Sequence, residues 1–198
     1  MRRPTSRDSS FVFFLLRAMS DEEEEVEEDW RIAKLYKACD KATPDEFNAL
    51  VTELGVKDAV VMGGMCMDAA TARAHFVVSA LIDLEDGDSL AECLEARFAL
   101  LRATVAGGGD GAGAALVAAL EGLVCSGSLE GATREGAMSG FRAALKVLWE
   151  REVVSEDQLR AWQADERAGR HYRVQAGDAQ RLHEQGREFI EWVDEGES

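Results

Sequence analysis

The sequence predicts an all-α fold of about eight or nine helices stacked as antiparallel pairs. Three observations predict it. Ala, Leu, Glu and Arg dominate the chain, and these are strong helix formers. Proline occurs only at Pro4 and Pro44, so helical stretches run without a break. No Asn-Gly or Asp-Gly turn stands between alternating β-branched runs, which leaves the strand signal weak. With 198 residues and 46% apolar content, the chain is long enough for one domain with a real core, plus tails.

The elements follow in order. Residues 30–198 form the helical domain. Near Trp30, Ile32, Leu35 and Tyr36 share a helical face. Thr43-Pro44-Asp45-Glu46 opens the next helix: Thr43 is the N-cap, Pro44 fits the first helical position, and Glu46 completes a capping box. Phe47, Leu50, Val51 and Leu54 then recur at the spacing of one face, and Gly55 is a C-terminal stop. Further helices are expected over Lys57–Met67, Ala70–Leu84 and Leu90–Val105, with Asp86-Gly87-Asp88 between the last two. Gly107–Gly111 is a loop. Ala114–Cys125 is helical and ends at Ser126-Gly127-Ser128. Met138–Arg151 turns Phe141, Leu145 and Leu148 inward. Ser155-Glu156-Asp157-Gln158 is a second capping box and opens a helix through Trp162. The last helix starts near Asp178 and carries Leu182, Phe189, Ile190 and Val193. Such a string of helices with short loops suits a HEAT-like stack.

Residues 1–29 read as a disordered extension, first basic and then acidic. Met1–Arg17 holds four arginines around the six apolar residues Phe11–Leu16. That run is shorter than the ~7–15 residues of a signal-peptide core. An organelle presequence is one reading of it; an upstream extension before a working start at Met19 is the simpler one. Asp21–Asp29 has eight acids in nine residues, a block that repels itself and solubilises.

Charge narrows the function classes. The net charge is −16 and the pI about 4.6. Phosphate backbones and anionic membrane surfaces are repelled, so a basic protein segment is the natural partner. No stretch reaches the ~20 apolar residues of a membrane span. Cys39, Cys66, Cys93 and Cys125 stand singly in apolar surroundings, which suits buried, reduced thiols in the cytoplasm. The Gly107–Gly113 run lacks the Gly-Lys-Ser/Thr of a phosphate loop. His75, His171 and His183 lack metal-ligand spacing, and no nucleophile–base signature is present. No metal, cofactor or catalytic residue is expected.

Two stretches combine tryptophan with dense acid: residues 145–165 and 184–197. The candidate partner-binding residues are Trp149, Glu150, Glu152, Glu156, Asp157 and Trp162 in the first. In the second they are Glu188, Phe189, Glu191, Trp192, Asp194 and Glu195. Carboxylates attract Lys and Arg, and an indole face is the best aromatic seat for a cation. A purely structural role for Trp149 and Trp162 in the core fits the spacing equally well. Acids near the C-terminus of the last helix oppose its dipole, which hints at a use elsewhere.

These two boxes resemble the C-terminal two-tryptophan, HEAT-like domain of eukaryotic translation initiation factor five. Related domains occur at the C-terminus of the epsilon subunit of initiation factor two-B and in the factor-five mimic proteins. The resemblance is carried by Leu145–Glu150, Val153–Asp157, Trp162 and Glu188–Glu195. It extends more weakly to Leu54–Ala59, Leu100–Arg102 and Ala118–Val124. It implies an all-α module that docks lysine-rich segments of the initiation factor two beta subunit and other preinitiation-complex factors. Guanine nucleotide exchange, as in the two-B epsilon subunit, and generic chaperoning of basic proteins are the alternatives. Nothing here corresponds to the GTPase-activating domain of factor five, so that activity is not expected. The Arg-, Gln- and Gly-rich segment Gln163–Gln180 and the short tail after Trp192 depart from the family pattern.

Overall fold

The structure, a computed structural model, describes residues 30–54, 60–62, 65–84, 88–125 and 129–196. The expectations for residues 1–29, Gly55, Asp86-Gly87 and Ser126–Ser128 lie outside the described residues, as does the side chain of Cys66. The fold is all-α and HEAT-like. The described helices are α1 (Trp30–Ala38), α2 (Pro44–Glu53), α3 (Ala69–Leu81), α4 (Leu90–Ala106) and α5 (Ala112–Cys125). They continue as α6 (Gly131–Ser139), α7 (Phe141–Glu150), α8 (Glu156–Gln163), α9 (Arg167–His171) and α10 (Ala176–Gly196). No helix among the described residues is long and apolar enough to cross a membrane.

Helices pack against the next but one as far as α5 and against the third along after it, which builds two layers. One layer runs α1, α3, α5, α8, and the other α2, α4, α7, α10. Helix α5 is the hub. Every residue from Ala112 to Cys125 is buried, the signature of a helix surrounded on all sides. Helix α3 is nearly as enclosed, from Thr71 to Leu81. Its buried Arg73 is satisfied by the Thr104 carbonyl and the Asn48 side chain, tying α3 to α4 and α2.

The local signals hold at the helix starts. Thr43 caps α2 with its reciprocal Glu46 bond and Pro44 in the first turn. Ser155 does the same for α8 with Gln158, and a third box that the sequence reading does not include joins Ser89 to Glu92 at the start of α4. Two sequence expectations are corrected. The segment Lys57–Met67 is not helical where it is described: Val60–Met62 and Met65–Met67 pair as antiparallel strands β1 and β2. A Gly-Gly pair between two short apolar runs is a hairpin signal, and it overrides the weak helical spacing. The span from Met138 is two helices rather than one, since α6 ends at Ser139 and α7 begins at Phe141. Gln185 of α10 stitches this joint, donating to the Met138 carbonyl at 2.8 Å and accepting from the Arg142 amide at 3.1 Å. It thereby satisfies one of the orphan amides at the start of α7. Cys39, Cys93 and Cys125 are free, buried thiols. Burial raises all three, Cys93 to about 11 and Cys125 to about 12.

Candidate docking surface

Both tryptophan boxes sit at the end of the stack, where α7, α8 and α10 meet. Helix α7 stops in a Schellman turn. The Val153 amide donates to the Leu148 carbonyl at 2.9 Å, and the Glu152 amide to Trp149 at 3.0 Å. Glu152 occupies the left-handed position of that turn, at φ 53°, where glycine is usual. Val153 and Val154 are thereby buried, and Ser155 caps α8 directly afterwards.

Helix α8 drives Trp162 into the core. Its indole is 0% exposed, and its Nε1–H donates to Glu121 Oε2 at 2.9 Å. The ring lies 4.6 Å from the His183 ring and 5.8 Å from Phe141, centroid to centroid. Gly186 of α10 makes room for it: a Cβ there would meet Trp162 Cζ3 at 2.4 Å. Glu121 is a carboxylate buried in the hub helix α5, and His183 Nε2 reaches the same oxygen at 3.3 Å. The hydrogen bond to Glu121 holds the His183 imidazole above its ordinary pKa, against the opposing effect of burial. Three chain segments thus converge on one buried oxygen.

The second box builds a different cluster. Phe189 is buried, Trp149 is partly buried, and Trp192 is 43% exposed. Trp149 meets Phe189 edge-on at 6.2 Å and Trp192 edge-on at 6.1 Å, while Phe189 stacks on Trp192 at 5.8 Å. Lys146 Nζ lies 5.5 Å from the Trp192 ring centroid.

These positions correct part of the candidate set. Trp162 and Phe189 are buried in the core and cannot touch a partner; they fix the helices that carry the acids. Among the aromatic candidates, Trp192 is the exposed one and Trp149 its partly buried neighbour. The candidate acids are on the surface, and most of them are paired. Glu150 pairs with Lys146 at 3.6 Å, Glu152 with Arg102 at 3.8 Å, and Glu188 with Arg142 at 3.4 Å. Glu191 pairs with Arg187 at 4.0 Å. Arg160 bridges Glu156 of α8 and Asp194 of α10, at 2.5 Å to each. Asp157 and Glu195 have no ion pair among the described residues. The box is therefore a mesh of exposed ion pairs rather than bare acid. Such pairs are each worth only ~0–1 kcal/mol, so an incoming cation can exchange with them.

Sequence reasoning missed Glu121, His183, Gly186, Lys146 and Arg160. Glu121 alone carried a usable signal: one acid inside the apolar run Ala114–Cys125 must find a buried partner.

Residues 114–198 match the W2 family model, described as eIF4-gamma/eIF5/eIF2-epsilon. The match supports the W2 family for this part of the chain. W2 domains are protein-interaction modules of translation initiation factors. The matched segment begins two residues into α5 and takes in Glu121, both tryptophan boxes and α10. No curated protein and no solved structure matches the chain.

Proposed function

We propose that this chain is a non-enzymatic docking module of translation initiation, working in the cytoplasm. Its ligand is a lysine-rich protein segment. The initiation factor two beta subunit is the partner that the resemblance to factor five names, and other preinitiation-complex factors are further ones. The observation that carries the reading is the exposed indole of Trp192 on the α10 stripe of Glu188, Glu191 and Glu195, with Glu150 linked to it through Lys146, inside the segment matched by the W2 model. Glu188, Glu191, Trp192 and Glu195 recur at helical spacing on α10, so one stripe of that helix carries both chemistries. The last turn of α10 has no basic residue to offset its dipole, and the acids there cost the helix some stability. A run of lysines recovers that cost by pairing with them.

The test is a binding titration with lysine-block peptides of the beta subunit, wild type beside a Glu191→Lys/Asp194→Lys/Glu195→Lys variant. Wild type should bind, with affinity falling steeply as salt rises. The variant should lose roughly tenfold or more, as expected when several weak pairs act together. Unchanged binding by the variant would remove these acids from the site. Equal affinity for unrelated polylysine would favour a general chaperone of basic proteins. Acceleration of nucleotide release from the factor-two complex by this chain alone would replace docking with exchange catalysis.

A further inference from the structure

We infer that Lys146 is a resident occupant of the lysine seat on this surface, and that a docking lysine must displace it. This rests on the docking reading above and adds a regulatory residue to it. The Lys146 ammonium lies 5.5 Å from the Trp192 ring centroid and 3.6 Å from Glu150 Oε1. An indole face and a carboxylate are the two groups that a partner's lysine would use, and the chain already fills them with its own. Trp192 is held in place by stacking on Phe189 and by the edge of Trp149, so the seat does not collapse when its occupant leaves. Lys146 is about half exposed and sits on a flexible four-carbon stem. It can therefore swing into solvent without disturbing α7.

The consequence is selectivity for lysine runs. Exchanging one ammonium for another on the same seat yields almost no net gain. A lone lysine therefore gains little from this surface. A run gains from the acids that hold no ion pair among the described residues, Asp157 and Glu195. Lys146 thus sets a threshold on the ligand's charge density while contributing little to stability.

The experiment uses an acetylated heptalysine peptide carrying a fluorophore, titrated with the full chain at fixed low salt and read by anisotropy. Lys146→Met keeps helix propensity and apolar stem but removes the competing charge. Arg181→Met makes the same charge change beside Glu135, away from the candidate docking residues. Lys146→Met should bind roughly three- to tenfold tighter than wild type, the scale of one exposed cation–π contact plus one ion pair. Arg181→Met should gain less than about twofold. Equal gains in the two variants, or none in Lys146→Met, overturn the inference while leaving docking intact. Failure of wild type and Lys146→Met alike to bind overturns both. A second readout does not depend on affinity. The ε-methylene protons of Lys146 should be shifted upfield by the Trp192 ring and return toward free-lysine values as heptalysine binds. If they stay shifted while the peptide is bound, Lys146 is not displaced.

Discussion

Glu152 pays for a turn that glycine makes at lower cost. Its φ of 53° costs an L-residue about 1–2 kcal/mol, against about 0.5–1 kcal/mol of extra chain entropy for glycine. Glu152→Gly should therefore stabilise the chain by about 0.5–1 kcal/mol, read as a higher denaturation midpoint. An unchanged or lower midpoint would mean that the Glu152–Arg102 pair outweighs the strain. Gly186 makes the opposite case. A methyl group there would collide with the buried Trp162 ring, which is fixed from behind by its bond to Glu121. Gly186→Ala should cost about 1–3 kcal/mol, as overpacking in a close-packed core does. Chemical denaturation measures it, and an effect below about 0.5 kcal/mol would show that the indole can shift aside.

Among the elements, α10 is tied to α5 through a titrating group. The His183 imidazole is raised above its usual value by the Glu121 carboxylate, so its charged form stabilises the fold. That contribution is fully present below the unfolded histidine's value of about 6.5 and is lost as pH rises through the higher folded value. The gap in stability between wild type and His183→Gln should therefore be wider at pH 5.5 than at pH 8.5. Urea midpoints at the two values decide it, and a gap that widens with pH would reverse the assignment. The same elements show what a sequence reveals. The capping boxes at Thr43 and Ser155 are legible because four contiguous residues carry the whole signal. The burial of Trp162 is not, because its causes are a carboxylate 41 positions away and a glycine on another helix. Helix α9, five residues within an Arg-rich polar stretch, has too little periodicity to be read. The pairing of Val60–Met62 with Met65–Met67 is legible in two short apolar runs either side of a Gly-Gly pair, a signal that the helical spacing of the segment obscures.

Over the whole molecule, two helical layers pack together with the fully buried α5 as the hub of one of them, and the docking surface lies at the end of the stack. From Leu145 onward, eight Lys and Arg oppose thirteen Asp and Glu, only −5 of the chain's −16. Most of the long-range field that would draw a basic partner thus arises outside the boxes. Charge would set the rate of encounter, and the local mesh would set which ligand stays. This separates binding from folding. The acids in the mesh are exposed and weakly paired, so reversing Glu191, Asp194 and Glu195 should leave the fold standing while it removes the ligand. The two tryptophans divide the same way, since Trp162 belongs to the core and Trp192 to the surface.

That division of the tryptophans has an optical side. Trp162 is shielded from solvent and lies against an imidazole, and a protonated imidazole is an efficient quencher of indole emission. Its light follows the protonation of His183 and the integrity of the core. Trp192 is reached by soluble quenchers and lies under an ammonium. With the 65%-exposed Trp30 and the partly buried Trp149 replaced, the chain would carry two reporters, a blue-shifted one for folding and an accessible, red-shifted one for what arrives at its surface.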